Sequence, residues 1–203
     1  MRARRRPRAA LTVVVCLGDS ITAGSPLWDP DPVVRERIDA PDERSQWEWW
    51  AARRNPGLEL RNHGVYGERT DEIAARLDNA VQGATSLVVQ GGINDVVQGV
   101  PVEEAARNLA GMVERGRRVG LRVALADVLP WSNGDARAAN AIVRLNTLIR
   151  AVADGLGVPL LTFHDTLVNP AQPQRMRDDW TDDGDHPSVE GHRMLGERAF
   201  RQP

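Results

Sequence analysis

The sequence predicts a three-layer α/β/α sandwich with a central parallel sheet, and three observations predict it. Short β-branched runs alternate with amphipathic helical segments from end to end. The runs are nearly continuously apolar, the pattern of strands covered by helices on both faces. With 203 residues, 41% hydrophobic and 27% charged, the chain can bury one continuous core. It contains no repeat and no low-complexity linker, so one domain is expected over 11–203, behind a basic flexible tail over 1–10.

The first strand is expected from Leu11 to Leu17. With five arginines among the eight residues at the start, this run imitates a secretory signal. It is barely long enough for one, and cleavage after Ala23 or Gly24 would remove the Gly-Asp-Ser segment at 18–20. The run therefore reads as a core strand, and the expected location is cytoplasmic. The arginines themselves read as a solvated tail.

From Ser25 to about Ser45, Pro26, Pro30, Pro32 and Pro41 predict a long loop. Leaving the carboxyl end of a strand, it must pass beside any cleft there, which makes Trp28 a candidate for substrate choice. Gln46-Trp-Glu-Trp-Trp then opens a helix with Trp47, Trp50 and Ala51 on one face. Core packing explains such a face more economically than a binding platform does. Further strands are expected at Leu58 to Arg61, Ser86 to Gln90, Leu121 to Asp127 and Val158 to Thr162. Helical spacing links Ile73, Leu77 and Val81, then Val102, Ala105, Leu109 and Met112, then Ile142, Leu145, Ile149 and Val152.

Composition excludes several functions. A net charge of -2 and a pI near 6.1 give no global attraction to nucleic acid or an anionic membrane. No apolar stretch approaches the roughly 20 residues that span a bilayer, so stable membrane insertion is not expected. All 26 basic residues are arginine. Without lysine there is no Schiff-base chemistry and no phosphate-cradling P-loop. The single cysteine, Cys16, has no internal disulfide partner and reads as a small buried hydrophobe. No Cys/His spacing suggests a metal, and neither metal nor cofactor is expected. Nothing in the sequence sets an oligomeric state.

In a parallel α/β sheet, ligands bind outside the carboxyl ends of the strands. The first strand runs into Gly18-Asp19-Ser20-Ile21-Thr22, the second into Asn62-His63-Gly64-Val65-Tyr66-Gly67, and the third into Gly91-Gly92-Ile93-Asn94-Asp95. Asp182-Asp183-Gly184-Asp185-His186-Pro187 precedes the last helix. Singly, each has a plain structural explanation. Asp-Ser can cap a helix, Gly-Gly-x-Asn can serve a turn with positive φ, and Asp-Gly-Asp-His-Pro can be a surface turn.

Together they supply what acyl transfer to serine requires. A serine hydroxyl is a poor nucleophile until a base takes its proton, and a neutral histidine can do so. Asp183 and His186, three apart in one loop, let a carboxylate hold one ring nitrogen while the other faces Ser20. The amides of Ser20 and Gly67 and the side-chain amide of Asn94 each follow a strand of one sheet and can converge on an oxyanion.

These blocks resemble the GDSL/SGNH hydrolase family over nearly the whole chain. Gly18-Asp19-Ser20 matches its first block, Asn62-x-Gly64-x-x-Gly67-x-x-Thr70 its second, Gly92-Ile93-Asn94-Asp95 its third, and Asp183-Gly184-Asp185-His186 its fifth. The resemblance implies a flavodoxin-like SGNH hydrolase fold. It also implies a serine esterase in which Ser20 is the nucleophile, Asp183 and His186 complete the triad, and Ser20, Gly67 and Asn94 form the oxyanion hole. Gly64 is an alternative register for Gly67, and Asp182 and Asp185 are alternative partners for His186. Ile21 stands where the family name implies leucine, a volume-conserving change.

The expected partner is a small-molecule ester, with a short acyl group favoured. An acyltransferase, thioesterase or lysophospholipase on the same scaffold, and a flavodoxin-like binding module, are the competing readings. The ordinary lipase elbow, Gly-x-Ser-x-Gly, is absent, because Thr22 follows Ser20 by two. Among the other histidines, His192 reads as packed inside the last helix, His63 as structural at a strand exit, and His164 as non-catalytic.

Overall fold

The computed structural model describes residues 11–24, 33 and 43–203. The tail expected over 1–10 and most of the Pro-rich stretch, Trp28 included, lie outside the described residues. Five strands form one parallel sheet: β1 (Thr12–Gly18), β2 (Leu58–Gly64), β3 (Ser86–Val89), β4 (Arg122–Ala126) and β5 (Leu160–Leu161). Their order is β2-β1-β3-β4-β5. The chain steps from β1 outward to β2, then crosses back to β3 on the other side. The exits of β1 and β3 therefore diverge at a switch point, where such sheets open a crevice.

The helices are α1 (Ser20–Ala23), α2 (Trp47–Arg54), α3 (Thr70–Ala75), α4 (Leu77–Ala80), α5 (Ile93–Val97), α6 (Val102–Arg118), α7 (Ala136–Leu156), α8 (Phe163–Leu167) and α9 (Val189–Met194). Alternation along the strands divides the core into two layers. Val15, Leu17, Leu87, Val89 and Leu125 face Ile73, Leu77, Leu109, Met112, Leu145 and Ile149 from α3, α4, α6 and α7. Val14, Cys16, Val88, Ala124 and Ala126 face Trp47 of α2, Phe163 and Leu167 of α8, and Met194 of α9. This is the three-layer arrangement expected from the sequence.

Trp47 carries the second layer. It is fully buried and meets Phe163 edge-on at 5.5 Å between ring centroids, a geometry worth about 1 kcal/mol beyond area burial. Trp50 is only half-buried and donates its indole N–H to the Arg44 carbonyl. Core packing thus accounts for Trp47, and a link between two segments for Trp50.

Three elements differ from expectation. The helix linking Ile73, Leu77 and Val81 is two short helices parted at Arg76, whose backbone sits at φ -100°, ψ 1°. The run from Val158 to Thr162 pairs only at Leu160–Leu161, because Phe163 already opens α8. An antiparallel hairpin, β6 (Val168–Asn169) and β7 (Gln172–Met176), lies outside the main sheet. Only Met176 of β7 is buried, so burial left no apolar pattern from which to foresee it.

Candidate active site

Asp19 and Ser20 divide the two roles that sequence left open. The Ile21 amide donates to Asp19 Oδ1 at 2.9 Å, so Asp19 caps α1. Ser20, 5% exposed, is left to meet His186, with Oγ 3.2 Å from Nε2. Buried Gln90 at the end of β3 fixes this corner: its Oε1 accepts from the Asp19 amide at 3.1 Å and the Thr22 hydroxyl at 2.9 Å.

The exit of β2 is joined to α1 by direct backbone approach. A Cβ on Gly64 would lie 2.0 Å from the Ala23 nitrogen, so only glycine fits. Asn62 donates to the Thr22 carbonyl at 2.6 Å and accepts from the Gly64 amide at 2.9 Å. The Gly64 amide is thereby committed. The amides of Gly67 and Ser20 meet no acceptor among the described residues.

Asn94 and Asp95 open α5 after Gly92, whose φ of 117° disfavours any side chain. Asn94 Nδ2 donates to the Glu68 carbonyl at 3.0 Å, which occupies one of its two N–H bonds. Asp95 is fully buried and accepts from the Thr70 amide and hydroxyl at 3.0 and 2.7 Å, tying the start of α3 to α5.

Asp183 holds His186 through both main chain and ring. Its Oδ1 accepts from the Asp185 and His186 amides at 2.8 and 2.7 Å, and its Oδ2 lies 2.9 Å from His186 Nδ1. Thr181 Oγ1 donates to the His186 carbonyl at 2.7 Å. Asp185, an alternative partner on sequence grounds, is turned elsewhere: its Oδ1 accepts from Trp131 Nε1 at 2.6 Å and Asn133 Nδ2 at 2.8 Å.

The carboxyls of the two halves shift in opposite directions. Burial pushes Asp19 up to about 6, only partly offset by the Ile21 amide, and its Oδ2 has no hydrogen-bond partner. Partial burial also works against ionised Asp183, but the bonds from the His186 and Asp185 amides and the His186 ring outweigh it and hold that carboxyl below its usual range. His192 is buried inside α9 as expected, and burial pushes it down to about 3, leaving the ring neutral. His63 is also lowered, first by its burial and then by Arg76 and Arg61. His164 caps nothing catalytic; its amide donates to Asp127 at 2.8 Å. Among the described residues, no group of three or more His, Cys, Asp or Glu could hold a metal ion, and no helix is long and apolar enough to cross a membrane.

Sequence reasoning missed Arg76 and the exit of β4. Arg76 donates to the carbonyls of His63 and Gly18, each at 2.7 Å, and to Glu68 at 2.7 Å. It ties the exits of β1 and β2 to the residue that receives Asn94. No local pattern marks such an arginine. The segment Pro130-Trp131-Ser132-Asn133 did carry a signal, since it follows a parallel strand as the other three blocks do.

A cleft beside the Asp183–His186 loop is lined by Val97, Val100, Pro101, Trp131, Asn133 and Arg137, among others. Comparison with known structures bears on the fold. A protein assigned to the lipolytic G-D-S-L family from Desulfitobacterium hafniense DCB-2 superposes with a TM-score of 0.75 at 22% identity, over 92% of this chain and 96% of that one. A GDSL-like lipase from Bacteroides thetaiotaomicron gives 0.69 at 23%, over 96% and 88%. A member of the lipolytic G-D-S-L family from Veillonella parvula gives 0.74 at 19%, over 91% and 94%. These likenesses establish the fold. No curated protein sequence matches. The model of the GDSL-like lipase/acylhydrolase family matches residues 16–194, from β1 to the end of α9, and the chain therefore belongs to that family of hydrolases.

Proposed function

We propose that the protein is a serine esterase acting on a small ester with a short acyl group through an acyl-serine intermediate. One observation carries the reading: Ser20, His186 and Asp183 form a continuous chain of contacts at 3.2 and 2.9 Å. His186 Nε2 takes the Ser20 proton as Oγ forms a bond to the acyl carbon. The carbonyl oxygen, now negative, is received by the amides of Ser20 and Gly67 and by the second N–H of Asn94. Two facts support this donor set: among the described residues the Ser20 and Gly67 amides meet no acceptor, whereas the Gly64 amide donates to Asn62.

Collapse of the tetrahedral species breaks the bond to the alkoxy oxygen. The imidazolium returns its proton to the departing alcohol, and acyl-Ser20 remains. Water then repeats the sequence, with His186 as base, to release the acid. Asp183, ionised throughout, holds the ring tautomer that presents Nε2 to serine.

The test is a chromogenic ester series of increasing acyl length, followed by rapid acid quench during turnover. Rates should be highest for acetyl to butyryl esters, and an acyl mass should be trapped on the peptide containing Ser20. Turnover without any trapped acyl group on Ser20, under conditions where deacylation is slowed, would remove the covalent mechanism.

A further inference from the structure

Asp183 and His186 are fixed to each other by their own loop, but those bonds leave the height of the pair above Ser20 undetermined. Thr181, the bridge between Thr181 and Pro187, and the Asp183 carboxylate all belong to the same loop. Among the described residues, the loop is tied to the sheet through the exit of β4. Ser132 donates its amide to the Gly184 carbonyl at 3.0 Å, Asn133 donates to the Asp183 carbonyl at 2.8 Å, and Trp131 and Asn133 converge on Asp185 Oδ1 at 2.6 and 2.8 Å. The β4 exit is anchored in turn by β7, since Ser132 accepts from the Met176 amide through Oγ and from Arg175 through its carbonyl.

The geometry points to Trp131 and Asp185 as a positioning pair that sets the reach of His186 to Ser20. This rests on the esterase reading above and adds to it residues that touch neither nucleophile nor oxyanion. A bond to a carboxylate is stronger than one between neutral groups, and two donors on one oxygen keep Asp185 from competing with Asp183 for the ring. Displacing a reacting group by about 1 Å can cost on the order of 100-fold in rate.

Trp131→Phe keeps an aromatic ring but removes the N–H together with the pyrrole half of the indole, so the Asp185 variants, which leave Trp131 intact, isolate the hydrogen bond. Trp131→Phe should lower kcat, and the rate of Ser20 phosphonylation by a fluorophosphonate, by about 10- to 100-fold, while KM for a short ester changes by less than about threefold. Asp185→Ala should do the same. Asp185→Asn, which keeps Oδ1 as acceptor, should restore most of the rate, and Trp131→Phe combined with Asp185→Ala should be little worse than either alone. Wild-type phosphonylation in both Trp131→Phe and Asp185→Ala would overturn the proposal, as would full additivity in the double variant. Should Trp131→Phe fail to fold, the Asp185→Ala and Asp185→Asn pair decides alone. Absence of labelling at Ser20 in the wild type would instead overturn the esterase reading, so the two failures are distinguishable.

Discussion

Ser20 and His186 meet at 3.2 Å, yet the two sides of that contact are built differently. Ser20 follows the end of β1, beside the exits of β2 and β3, and the hydrogen bonds of its immediate neighbours Asp19 and Thr22, made to Gln90 and the Ile21 amide, are buried. His186 stands on a loop tied to the β4 exit by the side chains of Trp131, Asn133 and Asp185 and by one backbone bond from Ser132. Ser20 is placed by the sheet, and His186 is placed against it. Breaking the first side should damage fold and chemistry together, whereas breaking the second should slow chemistry in a folded protein.

The largest effect is expected at Ser20. Ser20→Ala should abolish ester turnover, and because Asp19 rather than Ser20 caps α1, thermal stability should stay within about 0.5 kcal/mol of wild type. Residual turnover above about one per cent would remove Ser20 from its role.

Asn94→Ala should follow, at about 10²- to 10³-fold in kcat with a smaller change in KM, the cost of one oxyanion donor. Asn94→Asp should be at least as harmful, because a carboxylate would repel the developing charge. If alanine lowered thermal stability alone and kcat held, Asn94 would serve only its turn and its bond to Glu68.

Arg76 sharpens the comparison, since it belongs to the sheet side without touching a reacting atom. Arg76→Gln gives up bonds to Gly18, His63 and Glu68. A loss of about 2 to 3 kcal/mol in chemical denaturation is expected, from hydrogen bonds made by a charged group in a half-buried site. A cost comparable to that of exposed ion pairs, below about 1 kcal/mol, would show that the strand exits hold without it.

The smallest effect concerns pH. Asp19 rises on folding from its ordinary 3.8 to about 6, so between those values the folded state binds more protons than the unfolded one. Its contribution therefore becomes unfavourable as pH rises from about 4 to about 6. Asp183 behaves oppositely: lowered on folding, it stabilises above its unfolded value and loses that contribution as pH falls. Asp19→Asn keeps the cap acceptor and removes the titration. Its stability relative to wild type should rise by on the order of 2 kcal/mol between pH 4 and pH 7. A relative stability independent of pH would mean that Asp19 titrates in the folded protein as it does in the unfolded chain.

What was legible in the sequence follows the same division. The sheet side could be read because burial on both faces leaves continuous apolar runs, and because Gly-Asp-Ser and Gly-x-Asn-Asp sit directly on their ends. The Asp183–His186 pair could be read because its contact is local. The ties that place it could not: Trp131 and Asp185 are 54 positions apart, and neither residue type announces the other. Arg76 was hidden likewise inside a helical pattern, and β7 pairs with almost nothing buried to mark it. Gln90 carries a legible mark, a polar residue directly after the apolar Leu87–Val89 of β3.

The measurement that bears most directly on the central claim is fluorophosphonate labelling followed by peptide mapping, in wild type and in His186→Ala. One adduct per chain should form, on Ser20, at a rate that falls as the medium is acidified and that collapses by orders of magnitude without the imidazole. An adduct on another residue, or labelling of Ser20 at an undiminished rate in His186→Ala, would contradict the account.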